Sequence, residues 1–292
     1  MEIKKSIKIY LAWKASHTNQ AFKSYKVRLN QFAEFLVDYK TKLADINGDD
    51  IVAYHKSLEG EYSSSTIAYS ARIIRNFISF WHGRREVNFS PKEIIPIKYI
   101  SADKDVVSRA DFEDMDDLLD TDSFGELQKK LIINLLWDTG MRVSELCDMT
   151  LSNIQELKAG MRGAKVRSRK SLRYNYVIWG SKTNELMNLY LGLRLCMDCD
   201  SDKLFIGKRL GKCLTTRTIQ RWIRDLCEMA MIDKDITPHS FRHGKAHDML
   251  DQGANIRDVQ AILRHVKPES SFHYIQLSKT KYLDVANKYL TA

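Results

Sequence analysis

Proline is scarce in this 292-residue chain, with 4 residues, and glycine stands at only 13. A collagen-like repeat or a Pro/Gly-rich low-complexity chain is thereby excluded, and long uninterrupted helices are permitted. No stretch of about 18 apolar residues occurs, so the sequence lacks a membrane-spanning helix. The lysines at Lys4, Lys5 and Lys8 flank an apolar stretch too short and interrupted for a signal peptide. The expected compartment is therefore the cytoplasm. Cysteine numbers five, an odd count confined to the second half. That argues against a disulfide framework. Cys196 and Cys199 form one C-x-x-C, but Cys213 and Cys227 stand alone, so a four-ligand zinc site lacks its second pair.

Positive charge is what the chain has in excess. The formal charge is +9, and residues 1–100 contribute +6 of it through 16 basic against 10 acidic residues. The rest is less lopsided, yet it contains Lys158, Arg162, Lys165, Arg167, Arg169, Lys170 and Arg173 within sixteen residues free of acid. Such a block is either a solvated face or a phosphate-binding surface, where release of counterions drives association.

Apolar spacing predicts a helical first part. Tyr25, Leu29, Phe32, Leu36 and Tyr39 recur at three- and four-residue steps behind Thr18, and Ile67, Ala71, Ile74, Ile78 and Trp81 do so behind Ser64 and Ser65. Ile51, Tyr54 and Leu58 predict a shorter helix between them, opened by Asp49 and Asp50. Pro91 and Pro96 break the pattern, and Ser108-Arg-Ala-Asp111 is a capping box for a new helix. A first domain over residues 1–97, a linker over 98–106 and a second domain over 107–292 follow.

In the second domain Leu131 to Trp137 forms an apolar helix stopped by Gly140, and a short helix carries Arg142, Glu145 and Leu146. Residues 161–179 are the best strand candidate. Further helices are expected over 184–196, 216–229 and 239–250, and another behind Asn255 with Val259 and Leu263 inward. The acidic run Asp111 to Asp120 reads as a solvated helix face, so no carboxylate cluster suggests a metal-dependent nuclease. The fold class expected is mainly α with a small antiparallel sheet.

Three short pieces carry the chemistry: Thr139-Gly140-Met141-Arg142-Val143-Ser144-Glu145-Leu146, then Pro238-His239-Ser240-Phe241-Arg242-His243, then Leu263-Arg264-His265 with Tyr274 nine residues beyond the histidine. Each alone is common. Together, in this order, they resemble the tyrosine recombinases, the phage integrase-like class, over roughly residues 107–280. The helical first part is similar to that family's core-binding domain.

The resemblance implies a site-specific DNA recombinase that uses neither metal nor ATP. Arg142 and Arg242 would balance charge on the five-coordinate phosphorus, as bidentate guanidiniums can. Tyr274 would attack to form a 3′-phosphotyrosine, His239 would handle its proton, and Lys170 would protonate the departing 5′-oxygen. His265 would bond a phosphate oxygen, and Glu145 would support the arginine-bearing helix. Lys165 is the alternative to Lys170, because the glycines of the family's hairpin are missing. Arg264 is a second departure, standing where the family usually has glycine, and Val266-Lys267-Pro268 is a third. The remaining cations Lys158, Arg162, Lys165, Arg167, Arg169 and Arg173 would contact duplex DNA.

Tyr282, Val285, Ala286, Tyr289 and Leu290 form a terminal apolar stripe that the resemblance assigns to a neighbouring protomer in a DNA-bound tetramer. Docking on its own domain is the alternative. The competing functions are a type IB topoisomerase, which shares the tyrosine chemistry, and a catalytically silent DNA-binding accessory protein.

Overall fold

The structure is a computed structural model that describes residues 1–17, 22–38, 40–97, 99, 105–157, 162–168, 174–197, 199–207 and 213–264. It divides into two compact units, Met1–Asp103 and Lys104–Ala292.

The first unit is built from α1 (Ile3–His17), α2 (Phe22–Leu36), α3 (Gly48–Ser57) and α4 (Ser64–His82). The helix α1 had no individual sequence expectation, because its apolar residues are interleaved with lysines, yet Ile3, Ile7, Tyr10 and Leu11 all face inward. Thr18 and Tyr39 lie outside the described residues. Asn47 caps α3: its Oδ1 accepts the Asp50 amide at 3.1 Å while Asp50 Oδ2 accepts the Asn47 amide at 2.7 Å, which satisfies two orphan donors of the first turn. Ser64 and Ser65 sit inside the first turn of α4, and Ser63 occupies the cap position. Leu29, Phe32 and Leu36 of α2 meet Ile74, Phe77 and Ile78 of α4 in the core. Tyr10 joins them edge-on to Phe77, with ring centroids 5.4 Å apart.

His55 of α3 is buried, and its Nε2 has no hydrogen-bond partner among the described residues. Burial disfavours the imidazolium and lowers its pKa from 6.5 to about 4. Between these values the unfolded chain binds the proton and the folded chain does not, so stability falls as pH drops from 6.5 towards 4, by roughly 2–3 kcal/mol. His55→Leu in the full-length protein is therefore expected to lose less thermal stability than wild type between pH 7 and pH 5. Parallel pH profiles of Tm for the two proteins would contradict this.

The second unit contains α5 (Arg109–Asp117), α6 (Phe124–Thr139), α7 (Val143–Asp148), strands β1 (Ile154–Glu156), β2 (Arg162–Arg167) and β3 (Tyr174–Ile178), then α8 (Ser181–Leu195), α9 (Thr216–Met229), α10 (Pro238–Asp251) and α11 (Ile256–Leu263). The fold is mainly helical with one small antiparallel sheet, in the order β1-β2-β3 among the described residues. β1 was not foreseen, since a three-residue strand carries no periodicity to read. The central helix is α6, whose stretch from Leu131 to Trp137 is apolar but for Asn134 and buried throughout,. It packs against α8, α10 and α5, with Phe112 stacked on Trp137 at 4.9 Å.

The acidic run is the expected solvated face only in part: Glu113, Asp114, Asp117 and Asp120 are exposed, but two of its carboxylates are not. Asp111 and Asp116 are buried. Asp111 closes the capping box with Ser108 and pairs with Lys234, while Asp116 meets Lys182 at 2.6 Å, Lys130 at 3.5 Å and the amide of Asn134. Buried carboxylates persist because these partners compensate their lost hydration. The partners come from distant parts of the chain, so the run itself does not announce them.

Two glycines set the spacing around the site. α10 lies so close to Val107 that a Cβ on Gly244 would overlap the Val107 carbonyl. Gly140 ends α6 in the left-handed region, φ 53°, and returns its amide to the Leu136 carbonyl at 3.0 Å,.

Candidate active site

The end of α6, the start of α7, the first turns of α10 and the end of α11 converge. A Cβ on Gly140 would collide with Leu263 Cδ2, so the turn after α6 has to be glycine both for its φ and for the closeness of α11,. Arg242 of α10 fastens the junction. Its Nη1 donates to the Gly140 carbonyl at 2.6 Å and its Nη2 to the Leu263 carbonyl. One buried guanidinium thus joins the three segments that the sequence motifs occupy.

Arg142 stands at the N-cap of α7, two residues beyond that glycine and half-exposed. Glu145, buried one turn on, accepts the Arg142 amide at 3.1 Å through Oε2 and pairs with Arg142 Nη1 at 2.8 Å through Oε1. The carboxylate caps the helix and aims the guanidinium with the same two oxygens. Thr139 completes the turn. Its hydroxyl donates to the Leu135 carbonyl at 2.6 Å and accepts the Met141 amide at 3.1 Å.

His239 occupies the first turn of α10 behind Pro238. It is exposed, whereas Arg242, three residues on, is turned inward. The ring of His239 lies edge-on to His243, with centroids 4.8 Å apart.

On the sheet, Lys165 and Arg167 lie across from Tyr176 and Tyr174. Ala164, Val166 and Val177 fill the opposite, buried face. The Lys165 ammonium sits 4.9 Å from the centre of the Tyr174 ring,. Arg162 is engaged differently, by Glu156 at 2.9 Å and by Asn188. The start of α8, just after β3, is tied to α6 through Asp138, which accepts the Gly180 amide at 2.9 Å and the Thr183 hydroxyl at 2.6 Å. Lys158, Arg169, Lys170, Arg173, His265 and Tyr274 lie outside the described residues, as does the terminal stripe from Tyr282 to Leu290.

Sequence reading treated Arg264 only as a departure. It caps α11 with φ 55°, in the left-handed region that favours glycine. Its side chain turns back into the site, donating to the Thr139 carbonyl at 3.3 Å and approaching Glu145 Oε2 at 3.5 Å. The only sequence signal was the substitution itself. A cavity of about 580 Å³ beside the start of α6, lined among others by Phe124, Ile206 and Trp222, contains none of these residues.

The profile of the phage integrase family matches residues 108–281. Similar proteins include the tyrosine recombinase XerC of Leptospira interrogans, 26% identical over 290 residues that span 96% of this chain and 90% of that protein. Its Bacillus subtilis counterpart is 25% identical over 283 residues, spanning 92% and 90%. Among solved structures, XerA recombinase is 25% identical with a TM-score of 0.55, covering 99% of each chain. XerH bound to palindromic difH, a post-cleavage complex, is 18% identical with a TM-score of 0.77 over 93% of this chain and 80% of that one. A λ integrase dimer bound to a core site is 14% identical, with a TM-score of 0.75 over 94% and 77%. These last two likenesses concern the fold, which is that of the tyrosine recombinases. The chain belongs to the phage integrase family, the tyrosine-type site-specific DNA recombinases.

Proposed function

We propose that the protein cleaves and rejoins DNA through a covalent 3′-phosphotyrosine formed by Tyr274, in a tetramer assembled on two duplexes, for integration, excision or dimer resolution. The observation that carries this reading is the Arg242 junction, which gathers the arginine segment of α7 and the end of α11 into one place.

In this scheme the Tyr274 oxygen attacks phosphorus while its proton passes to His239. The bond from phosphorus to the 5′-oxygen breaks, and that oxygen takes a proton from Lys170, with Lys165 as the alternative donor. Arg142 and Arg242 balance the charge of the five-coordinate phosphorus, and His265 bonds one of its oxygens. A 5′-hydroxyl from the second duplex then attacks, the phosphotyrosine bond breaks, and the phenol regains its proton. Phosphodiester bond energy is conserved throughout, so no nucleotide is consumed.

The duplex would lie against the sheet face carrying Lys165 and Arg167, with Lys158, Arg162, Arg169 and Arg173 as further phosphate contacts. The first unit, as a core-binding domain, would contribute its own contacts to the duplex. The segment after Tyr274 would cross to a neighbouring protomer. A cytoplasmic, nucleoid-bound location would follow from a duplex DNA substrate; among the described residues no helix is long and apolar enough to cross a membrane.

A recombinase joins ends from two duplexes, whereas a type IB topoisomerase relaxes one. With two differently labelled duplexes carrying the sequence that the protein enriches from a randomised pool, hybrid products are expected in EDTA and without ATP. Relaxation of supercoiled plasmid without hybrid products would favour the topoisomerase reading, and binding without either would favour a silent accessory protein.

A further inference from the structure

Glu145 lies between two guanidiniums. Arg142 Nη1 meets its Oε1 at 2.8 Å and Arg264 Nη2 approaches its Oε2 at 3.5 Å, with the carboxylate side chain 2% and the Arg264 side chain 8% exposed. An arginine in this position is costly twice over. Its φ of 55° is a conformation that L side chains rarely adopt,, and its cation is withdrawn from water, which lowers its pKa despite the attraction of Glu145. The backbone turn needs no side chain at all, since glycine would make it without strain. What arginine adds is a fork that reaches the Thr139 carbonyl at 3.3 Å, the Ile262 carbonyl at 2.9 Å and the carboxylate that holds Arg142.

We propose that Arg264 is a positioning residue for DNA cleavage, acting on Arg142 through Glu145. Arg142 and Glu145 alone make a neutral pair, in which the carboxylate competes with a phosphate for the guanidinium. With Arg264 the group becomes a triad of net charge +1. Glu145 is neutralised from its far side, and Arg142 keeps its aim while its charge is left to the phosphate. The bonds to the Thr139 and Ile262 carbonyls hold the second guanidinium outside the place where the phosphate would enter. This rests on the reading that Arg142 binds the scissile phosphate.

The test uses full-length protein and a nicked duplex carrying the sequence enriched by wild type, with single-turnover adduct formation, equilibrium binding and Tm measured for each variant. Arg264→Gly is expected to bind with unchanged affinity and to keep its Tm, because glycine suits the left-handed turn. Its adduct should form about tenfold more slowly. Arg264→Lys, which retains the charge, should recover most of the rate. In an E145Q background, removing Arg264 should cost nothing further, because the charge it offsets is gone. An Arg264→Gly protein that cleaves at the wild-type rate would overturn the proposal, as would a rate loss that persists undiminished in the E145Q background. If Arg264→Gly fails to fold, an Arg264→Lys protein that folds but stays as slow as Arg264→Ala would do the same. Absence of an adduct in the wild-type reaction would instead remove the recombinase reading on which the proposal stands.

Discussion

Arg242→Ala is expected to lose both stability and DNA cleavage. The side chain is buried, and Nη1 and Nη2 each donate one hydrogen bond to a carbonyl, that of Gly140 and that of Leu263. Truncation leaves two buried acceptors without donors, at about 1–3 kcal/mol each, and opens a void where α6, α10 and α11 meet. A fall in Tm of several degrees should follow. Cleavage should fall further than destabilisation explains, by at least about 10²–10³-fold in single-turnover rate, if Arg242 is, as proposed, a fixed cation at the phosphate. Arg242→Lys separates the two effects. An ammonium restores the charge and one hydrogen bond, but not a fork spanning two carbonyls. It should regain part of the Tm and little of the rate. An Arg242→Ala protein with wild-type Tm would mean that the three segments are held together by other contacts.

This dual duty explains why parts of the site were legible in the sequence and parts were not. Gly140 was readable as a helix stop, since a glycine after an apolar run has few other meanings. Its second task, admitting Leu263, depends on a contact made across more than a hundred residues and leaves no local trace. The support of Arg142 by Glu145 was expected only from the family resemblance, and the structure supplies its physical form, a capping box that also holds the guanidinium. Arg264 could not be placed in the same way. Read against the family pattern it was a missing glycine, and its φ explains why glycine is usual there. Only the fold brings it to Thr139 and Glu145.

Two carboxylates of the acidic run in and after α5 were misread for a related reason, while Glu113, Asp114, Asp117 and Asp120 are exposed as expected. Asp111 and Asp116 look like their exposed neighbours Glu113 and Asp114 until Lys234, Lys182 and Lys130 are brought to them. Periodicity served well where elements are long, as in α4, α6 and α9. It had nothing to offer for β1, or for α1 with its interleaved lysines.

The second large effect concerns Tyr274. Tyr174 and Tyr176 stand on the exposed face of β3, 58% and 59% accessible, and neither has the offset from His265 that marks Tyr274. In the proposed scheme charge balance by Arg142 and Arg242 would accelerate cleavage, but without the phenol no covalent bond to DNA could form. Loss of the nucleophile is therefore expected to remove the product altogether, where other substitutions only slow it. Binding, which rests on phosphate contacts, should survive.

The direct measurement is denaturing electrophoresis of protein mixed with a labelled, nicked duplex carrying the enriched site, in EDTA. Wild-type protein, the Tyr174→Phe and Tyr176→Phe variants should each yield a band in which the 3′ end of the broken strand remains attached to protein, and Tyr274→Phe should bind the same duplex and yield none. An adduct retained by Tyr274→Phe would contradict the assignment of the nucleophile.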